Sequence, residues 1–85
     1  MNRKHEKTLT ALFADPIRAN ISWDAVVSAL TAKGVEIHAA GGSKFVFSYG
    51  GTSHVLHRPH PGNELKKPGV RAVRSFCIAA AIGPE

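Results

Sequence analysis

Apolar residues recur at helical spacing in three stretches of the chain and alternate at strand spacing in three others. From Lys4 to Ala14, Leu9, Leu12 and Phe13 fall on one helical face, and Asp15-Pro16 ends the run because the residue before a proline avoids helical geometry. Ile17 to Ile21 reads as a connector. Ser22 is a good N-cap, Asp24 in the first turn suits the positive end of a helix dipole, and Trp23, Val26, Val27 and Leu30 make an apolar stripe that stops at Gly34.

Val35, Ile37 and Ala39 then alternate with Glu36 and His38, and Phe45, Phe47 and Tyr49 alternate with Lys44, Val46 and Ser48. Ser53 to Arg58 is a third strand, and Pro59 ends its pairing. The glycine pairs Gly41-Gly42 and Gly50-Gly51 are hairpin signals, so the strands form an antiparallel meander. A Pro-, Gly- and Asn-rich loop covers residues 59–63. A last helix begins near Pro68, with Val70, Val73, Phe76, Cys77 and Ala80 on its core face and Arg71 and Arg74 on another, and Gly83-Pro84 stops it.

A helical stripe needs a partner to bury it. The expected fold class is therefore α+β: two layers, a three-stranded antiparallel sheet with helices on one face, plus an N-terminal helix. Trp23, Val27, Leu30, Val73, Phe76 and Cys77 should lie between the layers, with the opposite sheet face open. The expected division is residues 1–20 as a helical extension and connector, and 21–85 as the main domain. A chain of 85 residues supports one compact core.

Charge changes the picture. The chain carries +5 with histidines neutral, of which residues 1–42 hold +1 and residues 43–85 hold +4. A basic surface concentrated in one half favours a polyanion, with nucleic acid first. The single cysteine, Cys77, gives no disulfide framework. The basic start Met1-Asn2-Arg3-Lys4 is followed by no long apolar run, so the expectation is a cytoplasmic protein that does not enter a membrane.

The chemistry-bearing residues gather in the second half. Gly42-Ser43-Lys44 combines close backbone approach, a hydroxyl and a charge, yet lacks the spacing of a P-loop. His54, His57 and His60 stand three apart, but 54 and 57 point to opposite faces of a strand, which argues against a metal site. A histidine can exchange protons near neutral pH. Arg58, Lys66, Lys67, Arg71 and Arg74 suit phosphate contacts, and Lys66 and Lys67 sit where helix N–H groups also attract anions. Both main helices carry core stripes, which disfavours a recognition helix in a DNA major groove.

Taken in order, a helix ending Lys33-Gly34-Val35, then Gly42-Ser43, Arg58-Pro59-His60-Pro61, Glu64-Leu65-Lys66-Lys67 and a closing helix, the stretch from Ser22 to about Gly83 resembles the HicA toxins of bacterial toxin–antitoxin pairs. The resemblance implies a fold like a double-stranded RNA-binding domain, cleavage of mRNA and neutralisation by a HicB-like antitoxin; no cofactor or metal is expected. The family pattern places a catalytic histidine just after Gly-Ser, where this chain has Lys44. Gly42, Ser43 and His60 match, and a lysine can still steady a charged transition state. Lys44, His60 and His57 are then the expected catalytic set, with Gly42, Ser43, Arg58, Lys66, Lys67, Arg71 and Arg74 holding RNA. The alternative is a catalytically silent module that binds RNA or the antitoxin.

Overall fold

A computed structural model describes residues 3–85. Met1 and Asn2, the first half of the basic start, lie outside the described residues. The elements are α1 (Arg3–Leu12), β1 (Ile21–Ser22), α2 (Trp23–Ala32), β2 (Glu36–Ala39), β3 (Lys44–Tyr49), β4 (Thr52–His57), β5 (Glu64–Leu65) and α3 (Lys67–Ala79). The architecture is α+β, as the patterning predicts. β2, β3 and β4 form an antiparallel meander in that order.

The local signals act as expected. Ser22 takes extended geometry and its hydroxyl accepts the Ala25 N–H at 3.2 Å, which starts α2. Gly34 ends it at φ +98°, while the Val35 N–H returns to the Leu30 carbonyl at 3.0 Å. Gly50 and Gly51 both have positive φ, so the β3–β4 hairpin closes through a two-residue turn between Tyr49 and Thr52.

That turn sets the register. Phe45 pairs with Leu56 and Phe47 with His54 on the covered face, and Lys44 pairs with His57 and Val46 with Val55 on the open face. The covered face meets α2 and α3 through aromatic edges. Phe47 lies 5.6 Å from Trp23 and 5.8 Å from Phe76, ring centre to ring centre. Burying each such ring contributes about 1.5–3 kcal/mol. The edge contacts add about 0.5–1.5 kcal/mol.

Trp23, Leu30, Val73, Phe76 and Cys77 are buried between the layers as expected. Val27 is corrected: it is only half-buried at the rim, and Val26 and Ala29 take the interior positions. Trp23, Val26 and Leu30 of the expected stripe keep their interior places, and Val27 packs against the edge of that cluster.

Two features depart from the sequence reading. The connector and the loop pair with each other: Ile21 faces Leu65 and Ser22 faces Glu64 in a two-stranded ribbon, β1–β5. Flanking bonds extend it, from the Asn20 N–H to the Leu65 carbonyl at 2.7 Å and from the Trp23 N–H to the Asn63 carbonyl at 2.9 Å. The second concerns α1. Leu9 and Leu12 are fully buried in the same cluster as Trp23, Leu30 and Phe76, so this helix is part of the domain core.

α1 is fastened at both ends. Near its start, Glu6 accepts the Glu85 backbone N–H at 2.8 Å and meets the Lys33 ammonium at 3.2 Å. At its end the Arg74 guanidinium donates to the carbonyls of Leu12 at 2.8 Å and Ala14 at 2.7 Å. A cation at that end also complements the helix dipole.

Candidate RNA-facing site

The open end of the β3–β4 hairpin builds the site. Its ladder runs one bond past the strands, the Arg58 N–H donating to the Ser43 carbonyl at 2.8 Å. Gly41 and Gly42, at φ +97° and +57°, fold the β2–β3 turn onto the same end. The Gly42-Ser43 turn and the Arg58-to-Gly62 loop therefore enclose one cleft of about 430 Å³, with His60 on its wall.

A second cleft of about 640 Å³ lies against the same loop and reaches the start of α3. His57, Arg58, His60, Glu64, Lys66 and Gly69 line it. Lys66 is the N-cap residue of α3 and no side chain caps that terminus. Backbone N–H groups at such an end are ready donors to an anion. Gly69 lets the helix start pack closely: a Cβ on it would come within 2.7 Å of the Leu65 Cδ2, which would have to shift.

Gly42, Ser43, Arg58 and His60 are thus brought together, with His57 and Lys66 at the adjoining cleft. Lys44 lies on the open sheet face opposite His57 and lines neither cleft. Paired residues on one face of an antiparallel ladder have Cβ atoms about 4.5–5.5 Å apart. The register follows from the Gly50-Gly51 turn alone, so the pairing of Lys44 with His57 could have been read from the sequence.

Lys67 and Arg71 are exposed one turn apart on α3. Arg74 is half-buried and engaged with α1, so its place in the structure is a fastening, away from both clefts. His54 points inward, its ring 5.5 Å from Phe76, and does not face the other two histidines. Among the described residues, no three His, Cys, Asp or Glu side chains gather in a way that could hold a metal. Cys77 lies in the core, and burial pushes its thiol up to about 11, so little thiolate forms at neutral pH.

The sequence pattern of the HicA toxins of bacterial toxin–antitoxin systems matches residues 23–81, well over half of the chain. The chain belongs to the HicA toxin family. The match runs from the first residue of α2 past the end of α3, and so takes in both clefts. No curated protein and no solved structure matches the chain. α1 and β1 lie outside the matched HicA region. No helix among the described residues is long and apolar enough to cross a membrane.

Proposed function

We propose that this HicA-family chain binds and cleaves mRNA at the hairpin end and that a HicB-like antitoxin silences it. What supports the reading is one observation: a Gly-Ser turn, an arginine and a histidine share a cleft, and the adjoining cleft on the same loop reaches an uncapped helix N-terminus. The donors there suit a phosphodiester. Arg58 and Lys66 supply charge, and the backbone of the Gly42-Ser43 turn and of the α3 terminus supplies N–H groups.

RNA carries its own nucleophile beside each phosphate. His60 accepts the proton of the ribose 2′-OH as that oxygen bonds to phosphorus. The bond from phosphorus to the 5′-oxygen breaks, and His57 donates a proton to the departing oxygen. The products are a 2′,3′-cyclic phosphate and a 5′-hydroxyl end. Arg58 steadies the charge that gathers on the phosphoryl oxygens. Lys67 and Arg71 hold the flanking backbone without reading sequence. The antitoxin acts by covering this cleft.

A second reading is a silent RNA- or antitoxin-binding module. Lys44 favours it, because it stands on the open sheet face at the position where the family pattern has a histidine. Expression in a bacterial host separates the two. Cleavage predicts that the chain alone arrests growth, that a HicB-like partner restores it, and that His60→Ala and Arg58→Ala relieve the arrest at equal protein level. Normal growth with the partner absent supports the silent module.

A further inference from the structure

A second positively charged groove lies across the β1–β5 ribbon from the clefts at the hairpin end. It occupies about 340 Å³ between α1 and the chain that leads into α2. Lys4, Lys7 and Thr8 come from one face of α1, at the spacing that makes helical neighbours. Arg18, Asn20 and Ser22 form part of the opposite wall, and no acidic residue lines it. Glu6, the acid of α1, is turned away to Lys33 and to the backbone of Glu85. Lys7 and Arg18 are exposed and form no salt bridge among the described residues.

One contact links the walls of the groove and the larger cleft. Lys66 lines the cleft and Asn20 lines the groove, and the Lys66 ammonium donates to the Asn20 side-chain oxygen at 3.0 Å. This contact bridges the two-residue ribbon that separates them. Lys7 and Arg18 therefore continue the charge of Arg58 and Lys66 around the molecule. Such a track fits a flexible polyanion better than one small anion, because its charges are spread along a line.

We propose that the groove of Lys7 and Arg18 is a second binding segment for single-stranded RNA, carrying the strand onward from the cleft at His60 over the Lys66–Asn20 bridge. The proposal rests on the RNA reading and adds a length requirement to it. A short strand fills the cleft alone. A longer one gains the phosphate contacts of the groove.

The test uses the full chain and 2′-O-methyl RNA, which lacks the nucleophile and so reports binding without turnover. Two oligonucleotides are compared, of about 6 and about 20 nucleotides, one near the short end of typical single-strand site sizes and one beyond the long end. For the Lys7→Ala/Arg18→Ala double variant, binding of the long strand should weaken. Its salt dependence should lessen by about 1.4 in log–log slope, from about 0.7 for each lost phosphate contact. Binding of the short strand should stay at the parental level. The charge-keeping pair Lys7→Arg/Arg18→Lys should behave as the parent, which shows that any loss is of charge and not of fold. Equal slopes for parent and double variant on the long strand would overturn the groove while leaving the cleft reading intact. If the parent binds neither strand, the RNA reading falls and the groove falls with it.

Discussion

The molecule uses its basic residues in two different ways at its two sides. On the helical side, Arg74 and Lys33 are engaged with α1, through the carbonyls of Leu12 and Ala14 and through Glu6 and Glu85. At the hairpin end, Arg58, Lys66, Lys67 and Arg71 are exposed. The first group holds the fold together and the second faces solvent around two clefts. The contrast teaches that a cation's work is set by what the tertiary structure puts opposite it. Arg71 and Arg74 are three residues apart on one helix, yet only Arg74 meets α1.

On that division, substitutions of the residues that fasten and bury α1 should lower stability and leave RNA binding alone in whatever protein stays folded. The largest effect is expected in the core that α1 shares. Leu12→Ala should cost about 2–5 kcal/mol, read as a lowered denaturant midpoint. A loss under about 0.5 kcal/mol, the level of surface substitutions, would mean that α1 is merely laid on the domain.

Arg74→Ala comes next. It removes hydrogen bonds from a charged donor to the carbonyls of Leu12 and Ala14, and should cost roughly 1.5–3 kcal/mol. The salt slope of RNA binding should not change. Arg58→Ala inverts the pattern: the melting temperature should stay near the parent's, and the slope should fall by about 0.7. A lower slope for Arg74→Ala, or an unchanged one for Arg58→Ala, would erase the distinction between the two sides.

The smallest effect is that of pH on the α1 fastening. The backbone N–H of Glu85 holds the Glu6 carboxyl below its ordinary value; desolvation opposes this and Lys33 adds to it. The lowered value makes Glu6 contribute stability above the ordinary carboxylate value of 4.5, and the contribution fades as pH falls through the folded value. Lys33 is raised, first by Glu85 and then by Glu6, so its contribution is present below 10.5 and fades as pH rises beyond it. Glu6→Gln should therefore flatten the acid side of a stability–pH curve and leave the neutral plateau lower by a small amount. An unchanged acid side would remove this contact from the account.

The sequence revealed what is periodic and local. The helical stripes, the Ser22 cap and the glycine turns identify α2, α3 and the three-stranded sheet, because each signal lies within a few residues of its effect. The β1–β5 ribbon left no trace, since strands of two residues have no alternation to detect. Arg74 lies off the core stripe of α3 by periodicity. Its partners, the carbonyls of Leu12 and Ala14, come from the end of α1 and the residues just after it, some sixty residues away. For the site, the hairpin register already brings residues 43 and 58 together. The ordered resemblance to the family added His60 to them. The groove of Lys7 and Arg18 was invisible for the opposite reason: it is assembled from α1 and a connector that share no pattern.

The most direct measurement is cleavage of an end-labelled RNA by the purified chain, beside the same sequence carrying 2′-O-methyl groups, for the parent and for His60→Ala. The parent should cut the unmodified strand, leave 2′,3′-cyclic phosphate ends and spare the methylated one. His60→Ala should be slower by about 100- to 10,000-fold with its melting temperature preserved. Intact RNA with the parent, or equal rates for parent and His60→Ala, would contradict a catalytic site in the cleft at the hairpin end.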